Sequence, residues 1–339
     1  MNLLIRADAS ADMGTGHVMR CLALAQGWID RGGRVEFALA RGAQELGPRL
    51  EAEGVAAYRI AGESGGVDDA TQTAALAAKL EAQWVAVDGY QFDASYQCAL
   101  KRAGMRVLFL DDAGHGTPYS ADIVLNQNLH AEATLYQEHG PDTRLLLGTR
   151  FALLRREFQA WQNWRRPIPK TAHRLLVTLG GSDPTKTTPR LLAVLERMQR
   201  RELEALVIAG IANPLSGELR ALAARLGDWL RIEPSVPDMP GALAWADIAV
   251  SAAGGTCWEM LFMQLPGLLV ATTPSAQSVF DSLTERGLFH ALHLEGSEPA
   301  EERLRDLLDD AEERARMSEL GRQTVDGHGV EHVLEAMLG

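Results

Sequence analysis

The first group in this chain equipped to move a proton is His17, which follows the turn Gly14-Thr15-Gly16 and precedes Arg20. Ahead of the turn, Leu3-Leu4-Ile5 has the length of a buried strand. Beyond it, Cys21, Leu22, Leu24, Ala25, Trp28 and Ile29 recur at helical spacing. Gly14 and Gly16 therefore mark a strand-to-helix junction. Open α/β sheets bind ligands at such junctions because free backbone N–H groups and the positive end of the helix dipole point there. A positive helix end disfavours an imidazolium, so His17 is expected to be uncharged and able to accept a proton as a general base. The same residues also fit a plain tight turn in which His17 caps or packs.

Other polar groups stand at the ends of apolar runs. Trp84-Val85-Ala86-Val87 ends in Asp88, followed by Gly89-Tyr90; Val107-Leu108-Phe109-Leu110 ends in Asp111-Asp112; Asp122-Ile123-Val124-Leu125 leads into Asn126-Gln127-Asn128. Asp8 and Asp88 either steer His17 or close their own turns. Tyr90 and Asn128 are candidate ligand contacts, with local turn bonding as the alternative for Asn128. The acid pair reads as loop-ordering rather than cation-binding, and His115, His130 and His139 are dispersed, so no metal is expected.

The second half carries two glycine turns, Gly180-Gly181-Ser182-Asp183-Pro184 and Ser251-Ala252-Ala253-Gly254-Gly255-Thr256. Neither has the spacing of a triphosphate-binding lysine loop or of a dinucleotide fingerprint. Both suit a diphosphate lying on helix N-termini, held by backbone N–H groups and the hydroxyls of Ser182 and Thr256. Glu259, about one helical turn beyond Thr256, either accepts hydrogen bonds from ribose hydroxyls or completes a capping box with Thr256. No serine sits in a G-x-S-x-G elbow, and no Cys/His pair or pair of glycosidase carboxylates is evident. A nucleoside diphosphate leaves as an anion already stabilised by helix ends, so one base suffices, and such a base is worth ~10² to 10⁴ in rate.

The elements that position these groups alternate. Strand-like runs at 34–39, 56–60, 84–88, 107–110 and 122–125 are separated by helical patterns such as 43–53 and 68–83, and the rhythm restarts at Leu175 with runs near 206–209, 232, 248–250 and 268–270. This is an α/β chain of two doubly wound, Rossmann-like parallel-sheet domains facing a central cleft. The expected boundaries are 1–160 for an N-terminal domain, 161–172 for a linker broken by Arg165-Arg166-Pro167-Ile168-Pro169, and 173–339 for a C-terminal domain. The last third reads as charged helices at 300–317 and 330–338.

Composition agrees with two cores: 339 residues, 46% hydrophobic and 23% charged. Its three cysteines form no C-x-x-C pair, which argues against a disulfide frame or zinc site and for the cytoplasm. No basic leader is evident, and no apolar run reaches the ~18 residues of a membrane span. A net charge of −12 argues against nucleic acid as a partner while leaving room for a small anionic ligand.

In order, Arg6-x-Asp8 through Gly14-x-Gly16-His17-x-x-Arg20-Cys21-Leu22-x-Leu24-Ala25, Val87-Asp88-x-Tyr90, Asp111-Asp112, Ala121-Asp122 through Leu125-Asn126-Gln127-Asn128 and Leu147-Gly148-x-Arg150-Phe151-Ala152-Leu153-Leu154-Arg155 make a specific combination. Along nearly its whole length the chain resembles the UDP-sugar hydrolases of pseudaminic acid biosynthesis, which cleave UDP-2,4-diacetamido-2,4,6-trideoxy-β-L-altropyranose. The resemblance implies the GT-B architecture, shared with the glycosyltransferase that completes lipid II. It implies UDP on Gly180, Gly181, Ser182, Gly254, Gly255, Thr256, Glu259 and Gln277, and sugar contacts from Asp8, Gly16, Arg20, Tyr90, Asn128 and Arg150.

By the same resemblance, His17 activates water for inverting C–O cleavage at the anomeric carbon, without metal or cofactor. The partner is then a small UDP-sugar, with enzymes acting before and after it in the pathway as further candidates. The chain departs from that pattern at Gly89, where His is common, at Ala113-Gly114, in place of Leu-Ala, and at Ala276, where Asn is usual before the Gln. A glycosyltransferase, in which the base deprotonates an acceptor hydroxyl, and a nucleotide-sugar epimerase are the alternatives on this scaffold.

Overall fold

Runs of apolar residues too dense for one-sided burial form parallel strands covered on both faces. In the computed structural model, which describes residues 1–10, 13–181, 183, 185–200, 202–210, 213, 216–295 and 299–339, they build two sheets. The first holds β1 (Asn2–Ala7), β2 (Arg34–Leu39), β3 (Ala56–Arg59), β4 (Trp84–Asp88), β5 (Arg106–Leu110), β6 (Ile123–Asn126) and β7 (Arg144–Leu147). Their order is β3-β2-β1-β4-β5-β6-β7, and every pairing is parallel. The second holds β8 (Arg174–Thr178), β9 (Glu204–Ile208), β10 (Leu230–Glu233), β11 (Ile248–Ala252), β12 (Gly267–Val270) and β13 (His290–Ala291) in the order β10-β9-β8-β11-β12-β13, again all parallel. The expected pair of doubly wound α/β domains is what the chain forms.

Side chains of a strand alternate between faces, and in the first sheet this splits the core in two. Leu3, Ile5, Trp84 and Ala86 pack with Val18, Leu22 and Trp28 of the helix Gly16–Asp30 on one face. Leu4, Val85 and Val87 pack with Ala70, Ala77, Tyr96 and Leu100 of the helices Val67–Lys79 and Ala94–Arg102 on the other. In both sheets the winding reverses beside the first strand, at β1/β4 and at β8/β11. At such a switch point adjacent crossovers go to opposite faces, leaving a crevice at the strands' carboxyl ends.

The chain divides into two compact units: Met1–Ser10, His17–Arg156 and Gly327–Gly339 form the first, and Glu157–Asp326 with the glycine turn before His17 the second. The last helix, Gly329–Leu338, was expected in the second domain from its position in sequence but packs with the first. Val330, Val333, Leu334 and Met337 join the core of Leu3 and Leu22, and Arg144 Nη1 donates to Ala336 O at 2.8 Å. Gly27 makes room for it, since a Cβ there would lie 2.3 Å from Val330 Cγ1. The expected linker is anchored in the second unit, where the buried Arg166 donates to the carbonyls of Met263, Ala246 and Leu243 and so satisfies two helix ends. Among the described residues no helix is long and apolar enough to cross a membrane.

Candidate active site

Strand register brings the first site together. Ala7 of β1 pairs with Asp88 of β4, and Asp88 with Leu110 of β5, so the residues that follow all leave the sheet at one edge. Facing Asp88 is the first turn of the helix Gly16–Asp30, where positions 17, 20 and 21 share one side. His17 Nδ1 lies 2.7 Å from Asp88 Oδ1, Arg20 Nη2 donates to Oδ1 and Nε to Oδ2 at 2.7 Å each, and the Cys21 thiol reaches Oδ2 at 3.4 Å. Asp88 is fully buried. Burial by itself would raise its pKa, but Arg20 and then His17 outweigh that and hold the carboxyl well below the usual carboxylate range. Burial beside Asp88 pushes the Cys21 thiol far up.

An anionic Asp88 accepts a proton-bearing Nδ1, and in the neutral ring the lone pair is then on His17 Nε2. Nε2 makes no hydrogen bond among the described residues, and the side chain is 11% exposed. The Tyr90 ring stands edge-on to His17, with centroids 5.2 Å apart at 87°, and 5.6 Å from His115. Tyr90 is 44% exposed, and partial burial with the Asp112 carboxylate pushes its phenol up to about 12, so at neutral pH it is a hydrogen-bond donor.

The remaining sequence candidates from the first half of the chain separate by geometry. Asp8 ties the end of β1 to the chain that follows β2 rather than meeting His17. Its carboxylate is buried, paired with Arg6 at 2.8 and 2.9 Å, and accepts from Ala40 N, Arg41 N, Gln91 Nε2 and the Ser64 hydroxyl, which leaves no lone pair for a sugar. Asn128 is also buried, and its Nδ2 donates to Asp112 Oδ1 at 2.6 Å and to Asn126 Oδ1 at 2.8 Å. Arg150 is exposed in the turn Thr149–Phe151, its guanidinium 6.0 Å from the Phe151 ring centroid, and makes no hydrogen bond into the His17 cluster among the described residues. Gly16, exposed at the start of its helix, has open space where a Cβ would be.

Asp111 orders its loop. It accepts from the backbone N–H of Ala113, Gly114 and Gly116, from the Tyr119 hydroxyl and from His115 Nδ1 at 2.8 Å. Burial works against a charged His115, but Asp111 outweighs it and raises the imidazole pKa.

In the second unit, Ser182 lies outside the described residues. Gly180 has φ +93°, a conformation that favours glycine. The helix after that turn, Thr187–Met198, already has a carboxylate at its start: Asp183 accepts from Thr187 N and Thr188 N at 2.8 Å each, so those two donors are not available to a phosphate. The turn at β11 differs. Gly254 and Gly255 are exposed, neither has a positive φ, and a Cβ on either would meet nothing within 4 Å. Gly255 is the N-cap of the helix Thr256–Phe262 with no side chain capping it, so the capping box with Thr256 as cap does not form. Glu259 sits half-buried in that first turn, and Gln277 Nε2 donates to Asp281 at 2.7 Å at the start of the helix Gln277–Glu285.

Sequence reasoning missed the link from Asp112 to His17. Arg20 Nη1 donates to both Asp112 oxygens, at 2.9 and 2.8 Å, and so joins the ends of β4 and β5. The available signal was an Arg one helical turn after His17 together with two strands ending in acids.

No family model matches the chain. Among curated proteins it is 21% identical to an uncharacterized protein of Methanocaldococcus jannaschii over 84% of this chain and 59% of that one. It is 25% identical to the spore coat polysaccharide biosynthesis protein SpsG of Bacillus subtilis, over 66% of each. To the UDP-2,4-diacetamido-2,4,6-trideoxy-β-L-altropyranose hydrolase of Campylobacter jejuni it is 26% identical, over 54% of this chain and 61% of that one. The chain thus matches 59 to 66% of the length of these relatives. Among solved structures it superposes on MurG of Acinetobacter baumannii with a TM-score of 0.64 at 17% identity, covering 99% of this chain and 98% of that one. On the UDP-GlcNAc 2-epimerase of Neisseria meningitidis bound to UDP-GlcNAc it does so with a TM-score of 0.66 at 13% identity over 100% of both. Two parallel α/β sheets with these structural neighbours give the chain a GT-B fold.

Proposed function

We propose that the protein hydrolyses a UDP-linked 2,4-diacetamido-2,4,6-trideoxy sugar to UDP and the free sugar in nonulosonic acid biosynthesis, in the cytoplasm. The observation that carries this reading is His17 with Nδ1 on the buried Asp88 and Nε2 unbonded. The hydrolase and spore-coat relatives support the substrate class, and the GT-B neighbours support a nucleotide sugar as ligand.

His17 Nε2 takes a proton from water as the water oxygen bonds to the anomeric carbon. The bond from that carbon to the diphosphate oxygen breaks, and UDP leaves with the electron pair. Attack opposite the leaving group inverts the centre. Asp88 stays ionised throughout and stabilises the imidazolium that forms. UDP is held on the open Gly254-Gly255 turn with Thr256 and Glu259, and on Gly180-Gly181; Tyr90 supplies a ring and a hydroxyl to the sugar.

Incubation with UDP-linked diacetamido-trideoxyhexoses, followed by UDP assay and product mass, tests the reading. The expected result is UDP and a free sugar from the native protein, and a loss of ~10² to 10⁴ in rate with His17→Ala. Undiminished turnover by His17→Ala overturns the mechanism. UDP release only on addition of an acceptor makes the protein a transferase, and a UDP-linked product makes it an epimerase.

A further inference from the structure

The resemblance gives Arg20 to the substrate; its surroundings give it other work. Its side chain is 12% exposed, and its donors are committed to two carboxylates. Nε and Nη2 take the two oxygens of Asp88, and Nη1 takes both oxygens of Asp112. Of the five N–H groups of a guanidinium this leaves one, on Nη2, which lies 3.4 Å from His17 Nδ1. No fork remains with which to grip a phosphate.

The second carboxylate is itself held. Asn128 Nδ2 donates to Asp112 Oδ1, Asn126 Oδ1 accepts from Asn128, and His130 Nε2 lies 3.1 Å from the Asp112 carbonyl. The ends of β4 and β5 therefore meet at one planar cation from the helix Gly16–Asp30, and the end of β6 braces it through Asp112. The geometry fixes the Asp88 carboxyl plane, and with it the oxygen that meets His17.

We infer that Arg20 is a positioning residue. Clamped between Asp88 and the Asn128-held Asp112, it orients Asp88 so that His17 keeps its proton on Nδ1 and presents Nε2 to the water. This deepens the hydrolase reading and rests on it only for the kinetic part of the test. Lysine can replace the charge but not the planar fork, so Arg20→Lys separates positioning from charge.

The test has three readouts on the native protein, Arg20→Lys and Asp112→Asn. Nitrogen-15 imidazole spectra of the free protein, with the His17 signals assigned by their loss in His17→Gln, report the tautomer. Titration with UDP reports ligand binding. Turnover of the UDP-sugar separates kcat from KM. The expected result is an Nδ1–H tautomer in the native protein and loss of that single state in Arg20→Lys. Its UDP affinity and KM stay within about 3-fold, and kcat falls about 10²-fold, inside the ~10⁴ that a misplaced imidazole proton can cost. Asp112→Asn moves the same readouts the same way by less.

Unchanged His17 signals together with a tenfold or greater loss of UDP affinity in Arg20→Lys return Arg20 to the substrate and overturn the inference. Unchanged His17 signals with only a lower melting temperature also overturn it, by reducing Arg20 to a structural pair. Should the native protein turn over no UDP-sugar, the functional reading fails, while the imidazole spectra still decide the role of Arg20.

Discussion

At the scale of single residues, partners rather than burial tell the acids apart. Asp88 and Asp8 are both buried carboxylates paired with arginine, but only Asp88 meets a histidine. Asp88→Asn keeps the shape and can leave Nδ1 facing an amide donor, which reverses the tautomer; a fall in kcat of about 10³-fold or more, measured at fixed pH with KM little changed, is expected. Asp8, Asp69, Asp88 and Asp111 are all held below the ordinary carboxylate range, in each case against burial and by their partners. Their contribution to stability is present above the unfolded value of about 3.9 and is lost as pH falls toward the folded values. His115 has the opposite sign: its pKa is raised, so its contribution is full below the unfolded value and is lost as pH rises through the folded one. Thermal unfolding followed against pH should therefore drop steeply in acid and decline gently as pH rises past the unfolded histidine value of about 6.5, with the second decline absent in His115→Gln.

At the scale of elements, the strands that face helices on both sides were legible. Trp84–Asp88 is marked by an unbroken apolar run ahead of its acid and Arg34–Leu39 by Val35, Phe37, Ala38 and Leu39 around a single Glu36, and both stand where the sequence places them. The edge strands β7 and β13 were not. β7 is only partly buried, and β13 has two residues, too few to carry a period. The helical stretch expected at 300–317 is two helices, Ala300–Asp309 and Ala311–Thr324, because Asp310 caps the second by accepting from Glu313 N. Of the site, His17 and Asp88 were legible from their places at strand ends, whereas the Arg20 clamp depends on residues 20, 88, 112 and 128 meeting across four elements. The open turn at Gly254 allows a clean test. Because a Cβ there meets no protein atom and φ is ordinary, Gly254→Val should leave the melting temperature in place while weakening UDP binding about tenfold or more, roughly 1.4 kcal/mol, by calorimetry.

At the scale of the whole molecule, one winding rule used twice yields two switch points, one beside His17 and Asp88 and the other beside glycine turns. The division of the chain is less simple than its sequence order, since the last helix belongs to the first unit. Leu334 is 1% exposed in the core that contains Leu3 and Leu22, so Leu334→Ala should destabilise the first unit by about 2–5 kcal/mol, read by denaturant unfolding with probes on each unit, and leave the second unit's transition in place. The central claim is that an Asp88-held imidazole drives water onto the sugar carbon. UDP release in heavy-oxygen water, native protein against His17→Ala, tests it most directly. The account predicts rapid release of unlabelled UDP by the native protein and almost none by the variant. Heavy oxygen in the UDP, or equal release by both, would contradict it.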